Sequence, residues 1–150
     1  MAGETLAAKE GGSGILANGE LCRDCQACVL ACSLHHEGQC HPGLARLRID
    51  KDMSRYRFSV RICRHCDDHP CLDVCPPAAL RLDGRRVVLL VDEECLQCGA
   101  CASECPYEAI FFHEASNRFV KCDLCADRPG GPLCVEVCPV GALCLKGGES

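Results

Sequence analysis

The chain has few of the large side chains that usually fill a protein core. Trp is absent, and the 150 residues include only four Phe and two Tyr. A chain of this length can form one domain with a core of fair size, so this core must depend on something besides aromatic packing. Small domains with thin cores are stapled by disulfides or by metal. The scarcity of aromatic residues therefore raises the question of which of these occupies the interior.

The sequence also lacks a long apolar run, a basic excess and a visible export signal. The apolar run at residues 87–91 is too short to span a bilayer. The formal net charge is −5, so no overall positive field attracts nucleic acid or an anionic membrane. Residues 1–19 show no basic segment followed by an apolar stretch, as a secretory signal would. We therefore expect no nucleic-acid partner, no membrane span and a cytoplasmic location, where structural disulfides are rare.

Cysteine, in contrast, is abundant and regularly spaced. Sixteen of the eighteen cysteines fall into four groups of four, and in every group three residues separate the last two. The first and third groups read Cys-x2-Cys-x2-Cys-x3-Cys, and the others enlarge the gap before the third cysteine. The groups are Cys22, Cys25, Cys28 and Cys32; Cys63, Cys66, Cys71 and Cys75; Cys95, Cys98, Cys101 and Cys105; and Cys122, Cys125, Cys134 and Cys138.

This spacing is the one with which bacterial ferredoxins bind [4Fe–4S] clusters. Cysteines at x2 intervals on a tight turn can direct three thiolates at one cubane, and the x3 interval is one helical turn. In two-cluster ferredoxins the fourth cysteine binds the other cluster. A proline follows Cys75, Cys105 and Cys138, and it turns the chain away because it fixes φ and has no N–H. The pattern predicts iron–sulfur clusters.

Two other interpretations of the cysteines fit less well. A disulfide scaffold needs an oxidising compartment and does not explain a spacing that recurs four times. A four-thiolate zinc site needs two Cys-x2-Cys pairs and leaves the third cysteine of the first and third groups unused. The loop after the first group offers further zinc ligands, namely His35, His36, Cys40 and His41. A loop or interface contact is the better interpretation of them, and Cys40 and Cys144 are predicted to be free thiols.

The segments after the fourth cysteine of the last three groups predict strands of small hairpins. Apolar residues stand at the fifth and seventh positions past that cysteine, which is typical of a strand with one face toward the core. The residues expected to face the core are Leu80, Leu82, Ile110, Phe112, Leu143 and Leu145, with Arg81, Phe111 and Cys144 facing away.

Residues 46–49 and 56–62 alternate in the same way and predict a longer hairpin. Its apolar face is expected to hold Leu47, Ile49, Tyr56, Phe58, Val60 and Ile62. Its other face holds Arg46, Arg48, Arg57 and Arg61. A solvated outer face is the preferred interpretation of these arginines, and a docking surface for an acidic partner is the alternative.

Four ferredoxin motifs in this order, with enlarged gaps in the second and fourth, resemble the four-cluster electron-transfer subunits of molybdenum and tungsten pterin oxidoreductases, the dimethyl-sulfoxide-reductase type. The resemblance covers about residues 21–145. It implies an α+β fold in which two bacterial two-cluster ferredoxin-like units are nested, with short helices and small antiparallel β-hairpins. The domains we expect are a flexible arm at residues 1–20 and a four-cluster domain at residues 21–150, with unit one at residues 21–62 and 120–150 and unit two at residues 63–119.

The resemblance also implies which cysteines share a cluster. In that family the first motif pairs with the fourth and the second with the third, and each motif gives its fourth cysteine to the paired motif's cluster. The implied ligand sets are site 1, with Cys22, Cys25, Cys28 and Cys138; site 2, with Cys63, Cys66, Cys71 and Cys105; site 3, with Cys95, Cys98, Cys101 and Cys75; and site 4, with Cys122, Cys125, Cys134 and Cys32. Some relatives lose a ligand in the third motif. This chain keeps all of them, so four [4Fe–4S] clusters are implied.

A narrower resemblance lies just past the first group. Residues 31–38, Pro42 and residues 45–49 look like the small iron–sulfur subunits that accompany tungsten aldehyde oxidoreductases and related benzoyl-CoA reductases. Ser33 stands where the other groups have proline, which leaves the helix free to continue through Leu34 and His35. The implied function is transfer of single electrons in an anaerobic cytoplasm. The electrons would pass between a tungsten or molybdenum pterin catalytic subunit, such as an aldehyde oxidoreductase, and a second redox partner, a flavin-containing or other redox subunit.

The sequence contains no recognisable catalytic apparatus. It has no phosphate-binding Gly loop and no nucleophile–base pattern, and a cubane with four cysteine ligands has no open iron position for a substrate. The chain is therefore predicted to carry electrons and not to be an enzyme. Nearby cations that can raise cluster potentials are Arg23, Arg64, His65, His69 and Lys121.

Two other functions stay open at this stage. One is a free-standing polyferredoxin that diffuses between several partners. The other is an iron–sulfur assembly or regulatory protein, which would show a three-cysteine site or a labile iron. A chain this short cannot cover both ends of a row of clusters, so we also expect the terminal clusters near the surface, with head-to-tail self-association as a further consequence.

Overall fold

The computed structural model describes residues 14–146, which form short helices and antiparallel strand pairs. The helices are α1 (Ala27–Glu37), α2 (Pro70–Asp73), α3 (Ala100–Glu104) and α4 (Leu133–Val137). The strands are β1 (Ile15–Ala17), β2 (Leu47–Asp52), β3 (Arg57–Ile62), β4 (Leu80–Leu82), β5 (Val88–Leu90), β6 (Ile110–His113), β7 (Arg118–Lys121) and β8 (Leu143–Leu145). Single 3-10 turns lie at Pro42–Leu44 and Asp92–Glu94.

Each strand pairs with one antiparallel neighbour. Strands β2 and β3, β4 and β5, and β6 and β7 form hairpins, whereas β1 pairs with β8 from the other end of the chain. Helix α1 packs against α4, and α2 packs against α3. The predicted α+β class with short helices and small hairpins is confirmed. Between residues 14 and 146, no helix is both long enough and apolar enough to cross a membrane.

The pairing of β1 with β8 differs from the flexible arm that we expected over residues 1–20. Ile15 is 1% exposed, and the backbone N–H of Asn18 donates to the carbonyl of Ala142 at 2.7 Å. Burial of this apolar side chain orders the strand. Gly14 lies so close to the backbone of Arg64 that a Cβ would stand 2.1 Å from the Arg64 carbonyl oxygen, so only glycine fits here. Residues 1–13 of the expected arm lie outside the described residues.

The small hairpins follow the predicted alternation only in part. Leu80, Ile110 and Leu143 are buried as expected. Leu82 and Phe112 are each 43% exposed, so the prediction that they face the core is wrong. Leu82 adjoins the hairpin turn, and Phe112 instead pairs with Phe119 across the β6–β7 hairpin, with ring centroids 5.0 Å apart.

Phe111, which we expected to face away from the core, is 7% exposed. Its ring lies beneath two guanidinium groups of the β2–β3 hairpin, those of Arg48 at 4.6 Å and Arg61 at 5.6 Å. Such stacking is favourable because the ring face is electron-rich. These two arginines are therefore only partly solvated, and they cover an aromatic ring.

The apolar face of the β2–β3 hairpin matches the prediction near its base. Leu47 pairs with Ile62 and Ile49 with Val60, and Leu47, Ile62 and Val60 are buried. Tyr56 departs from the prediction, since it is 78% exposed and lies in the turn with a φ of 52°. The twist of a two-stranded ribbon carries its tip away from the core.

The interior has no buried Trp or Tyr and is built largely around cysteine. The larger core cluster joins Ile15, Leu47, Ile62 and Leu143 to buried cysteines of the first, second and fourth groups. The smaller one joins Leu80, Val88 and Ile110 to Cys71 and Cys101. The cysteine groups therefore occupy the positions that aromatic side chains fill in other domains of this size.

Candidate metal centres

The loop that opens each cysteine group has the same backbone conformation. The residue two positions past the first cysteine has a positive φ in every group, namely Asp24 at 55°, His65 at 45°, Gln97 at 57° and Leu124 at 57°. In the last three groups its N–H donates to the first cysteine's Sγ, at N···S distances of 3.5 Å for Cys63, 3.4 Å for Cys95 and 3.3 Å for Cys122. The loop thus wraps backbone donors around a sulfur, which favours the thiolate.

The end of the last three groups also repeats. Each reads Cys-Pro-x-x-Ala, and the alanine N–H donates to Sγ of the cysteine: Ala79 to Cys75 at 3.3 Å, Ala109 to Cys105 at 3.5 Å and Ala142 to Cys138 at 3.2 Å. These alanines are at most 4% exposed, so no larger side chain fits there without displacing neighbours. The short repeat holds the fourth sulfur in a fixed place.

The first group has Ser33 after its fourth cysteine, where the other groups have proline, and its chain continues differently, as predicted. Helix α1 continues past Cys32 to Glu37. The Ser33 hydroxyl donates to the Leu30 carbonyl at 3.0 Å and accepts from the His41 N–H at 3.0 Å, which ties the following loop to the helix. Because the chain does not turn back at this point, Cys32 Sγ accepts instead from the N–H of Arg46 at 3.3 Å.

The first and fourth groups converge at site 1. One cavity is lined by Cys22, Cys25, Cys28 and Cys138, which come from both groups. Burial, together with the nearby sulfurs of the same set, raises the pKa of the Cys28 thiol to about 11. The pKa of Cys138 shifts in the opposite direction. Burial raises it, but hydrogen bonds from four backbone N–H groups lower it by more. Site 1 thus combines four sulfurs with donors that stabilise negative charge.

The same two groups meet again at site 4, where the fourth group would contribute three sulfurs and the first group one. Burial raises the pKa of Cys134 far above its usual range, and the sulfurs of Cys32 and Cys125 add to this effect. Burial likewise raises the pKa of Cys32 to about 11, with Cys125 as a neighbouring sulfur. Cys32 of the first group therefore lies among sulfurs of the fourth, although it shares helix α1 with Cys28.

The second and third groups meet in the same crosswise way. Burial raises the pKa of Cys71 to about 11, and Cys63, Cys66 and Cys105 are the neighbouring sulfurs that raise it. Burial also raises the pKa of Cys101, and Cys95, Cys75 and Cys98 are its neighbours. The structure thus brings together members of all four implied ligand sets.

The chemistry of these sites fits [4Fe–4S] clusters. Each set offers soft thiol donors, which iron–sulfur clusters prefer. Thiols with raised pKa values stay protonated at neutral pH unless a cation replaces the proton, and cluster iron would supply that charge. When bound, a cluster would provide one-electron redox chemistry, and the chain supplies the sulfur ligands, backbone donors and burial.

Cys40 and His41 do not join His35 and His36 in the zinc site considered above, although the ligand atoms of His35, His36 and Cys125 lie within 4.8 Å of one another. His41 Nδ1 accepts from the Gly43 N–H at 3.0 Å, and His35 Nε2 lies 3.1 Å from the Asp127 carboxylate. Sequence reasoning missed the position of His36, whose Nε2 lies 3.9 Å from Cys125 Sγ. The two belong to groups 89 residues apart, so no local spacing could have indicated this contact.

Cys40 and Cys144 are both exposed. Replacement of either by serine is expected to leave the iron content and the EPR spectrum of the reduced protein unchanged, because neither sulfur is needed to complete a site. Iron analysis of the two variants beside the parent chain checks this. Loss of about four iron atoms in either variant would mean that the ligand sets are wrong.

Residues 54–147 match the 4Fe-4S dicluster domain family. The chain belongs to this family. It is an iron–sulfur electron-transfer protein, and its predicted resemblance to ferredoxin-type electron-transfer subunits is confirmed at this level. The assignment of sixteen individual ligands stays a prediction.

Similar proteins include subunits of oxidoreductases. The chain is 36% identical, over 83% of its length and 70% of the relative's, to the polyferredoxin-like subunit of an aliphatic sulfonate oxidoreductase from Pyrococcus furiosus. It is 34% identical to Protein NrfC of Escherichia coli strain K12, over 87% of this chain and 63% of that protein. Among solved structures, the active site complex BamBC of benzoyl coenzyme A reductase matches with a TM-score of 0.54 and 26% identity, over 89% of this chain and 78% of that one.

Proposed function

We propose that this chain is the electron-transfer subunit of a tungsten or molybdenum pterin oxidoreductase, with an aldehyde oxidoreductase as the catalytic subunit. In this proposal four [4Fe–4S] clusters carry single electrons between the pterin centre and a second redox partner, a flavin-containing or other redox subunit. The observation that carries it is the convergence of sulfurs from paired groups, seen at Cys28 and Cys134 for the first and fourth groups. Paired sites of this kind hold clusters close enough for electrons to pass.

The order of the sites supports a row with two ends, at each of which a partner protein could dock. Cys122 of site 4 and Cys63 of site 2 lie in one buried cluster, and Cys63 is the sulfur that raises the pKa of Cys122 most. Cys28 of site 1 is among the sulfurs that raise the pKa of Cys134 of site 4. Helix α2, which carries Cys71 of site 2, packs against α3, which carries Cys101 of site 3. In this proposal the sites follow one another as 3, 2, 4 and 1, with sites 3 and 1 at the ends of a row.

Both ends of the row reach the surface. Cys25 of site 1 and Cys98 of site 3 are exposed ligands. Leu21 beside site 1 is 41% exposed, and Leu96 beside site 3 is 68% exposed. An exposed apolar side chain next to a redox centre is typical of a surface that a partner covers. The two ends would serve electron entry and electron exit, and a second copy could in turn meet either end head to tail.

The relatives support a partner of this type. The aliphatic sulfonate oxidoreductase relative is described as a subunit, and the BamBC structure is an active site complex. A free-standing polyferredoxin in the cytoplasm is the second candidate, and the same two exposed ends favour it, because a diffusing carrier also needs accessible clusters. The difference between the two lies in whether a catalytic protein stays bound.

Anaerobic purification from native extract tests the proposal. The chain is expected to elute with a much larger pterin protein at fixed stoichiometry, and with about sixteen iron and sixteen sulfide atoms per chain. Native mass spectrometry and metal analysis of the same fraction measure both quantities. A monomer that holds all its iron at every concentration would favour the diffusing polyferredoxin, and about eight iron atoms per chain would contradict four clusters.

A further inference from the structure

Sites 2 and 4 meet at the junction between the second and fourth cysteine groups. Cys63 directly follows β3, and Cys122 directly follows β7. Both thiols are buried, at 9% and 8% exposure, and after burial Cys63 is the main influence that raises the pKa of Cys122. In the row of sites an electron that passes between the paired units must cross this junction.

Lys121 is buried at this junction. It is only 2% exposed, and its Nζ donates to the carbonyl of Cys122 at 2.7 Å and to the carbonyl of Val88. Val88 begins β5 and lies in the smaller core cluster with Cys71 of site 2 and Cys101 of site 3, and Cys122 belongs to site 4. One ammonium group therefore links backbone from both sides of the junction.

No carboxylate within residues 14–146 forms an ion pair with Lys121. A buried ammonium without a counter-charge is costly, and two carbonyls offset only part of that cost. The groups near it that would become negative when clusters bind are sulfurs: its charge lowers the pKa of Cys71 in site 2 and of Cys122 in site 4, against the larger effect of burial. With clusters bound, the two ligand sets would supply the counter-charge of Lys121.

Its neighbour His65 does not share this role. His65 is only 1% exposed, and its Nδ1 accepts from the Val88 N–H at 2.9 Å. A ring nitrogen that accepts a hydrogen bond carries no proton, so this imidazole is neutral. Lys121 therefore provides the positive charge on this side of the junction.

We propose that Lys121 is the residue that sets the reduction potentials of the two middle clusters, at sites 2 and 4, through its positive charge. This inference rests on the proposed four-cluster function. Reduction adds one negative charge to a cluster, and a nearby buried cation stabilises that charge and raises the potential. A raised potential at both middle sites favours electron transfer from either end into the junction.

Redox titration monitored by EPR on the holo-chain tests this role. Lys121→Gln keeps a hydrogen-bond donor for the two carbonyls and removes the charge. It is expected to shift the one-electron reduction equilibrium of two clusters at least tenfold toward the oxidised form, about 59 mV each, with iron content unchanged. Lys121→Arg restores the charge and is expected to restore the potentials. Lys51→Met is the matched control, since it removes the same charge at a side chain that is 43% exposed and paired with Asp24.

Three results would overturn the proposal: unchanged potentials in Lys121→Gln, an equal shift of all clusters, or a shift in Lys51→Met at the middle sites of the same size. If Lys121→Gln loses iron, the result with Lys121→Arg decides whether the charge or the shape of lysine matters. Retention of iron and potentials by arginine supports the charge, whereas loss of iron in both variants means that the shape of lysine is what matters. A parent chain with about eight iron atoms would instead contradict the proposed function, before any variant is compared.

Discussion

Replacement of Cys32 by serine is expected to destroy the cluster at site 4 and to lower the iron content from about sixteen to about twelve atoms per chain. Cys32 belongs to the first group by sequence, but its sulfur lies near Cys125 and Cys134 of the fourth. Its removal leaves site 4 with three sulfurs in a buried pocket, whereas site 1 keeps all four of its ligands. EPR spectra of the reduced protein, together with iron analysis, measure which cluster is lost.

The reciprocal variant sharpens this test. Cys138 belongs to the fourth group by sequence. The variant Cys138→Ser is expected to remove the site 1 cluster, because Cys138 lines the cavity with Cys22, Cys25 and Cys28. Cys144→Ser, an exposed cysteine six residues further on, serves as the control with full iron content. If Cys32→Ser loses the site 1 signal and keeps that of site 4, the crosswise ligand sets are wrong.

Removal of iron and sulfide is expected to unfold the chain. Both core clusters are built around cysteine, and apolar side chains alone leave a cavity between the sulfurs of site 1. A structural metal site contributes about 10–16 kcal/mol in zinc-finger peptides, and the whole stability of a domain is about 5–15 kcal/mol. Loss of several such sites therefore exceeds what the remaining packing can supply.

Acid treatment with a chelator under reductant, followed by exchange to neutral buffer, produces the iron-free chain for this measurement. We expect a collapsed range of amide proton chemical shifts and no cooperative thermal transition, with both restored by iron and sulfide. Holo-chain carried through the same buffers without acid or chelator is the control. A dispersed spectrum from the iron-free chain would mean that the apolar core suffices for folding.

Much of the candidate site could be predicted because it depends on local spacing. The x2 and x3 intervals place sulfurs on one loop and one helical turn, and the structure repeats that loop conformation at Asp24, His65, Gln97 and Leu124. Because Ser33 stands where the other groups have proline, the sequence correctly predicted that α1 continues past Cys32. Each of these features involves residues fewer than about six positions apart, so the sequence pattern contains the geometry.

The errors arose where packing between distant segments overrides local alternation. Phe111 is buried because Arg48 and Arg61 of another hairpin cover its ring, whereas alternation alone pointed it outward. Ile15 joins a strand because β8 brings an apolar partner to it. Neither partner can be identified from spacing, since pairing across the chain depends on which surfaces are buried together.

The sequence by itself determined the cysteine groups, the iron–sulfur chemistry that they predict and the short helices and hairpins around them, because ligand spacing and backbone turns are local properties. Only the tertiary structure decided which groups lie at the surface, which meet at the junction of Cys63 and Cys122, and that Lys121 is buried there. The sequence predicts Lys121 as a cation near a cluster but does not indicate that it is buried. Its burial depends on contacts between β5 and β7, which form only when distant parts of the chain pack together.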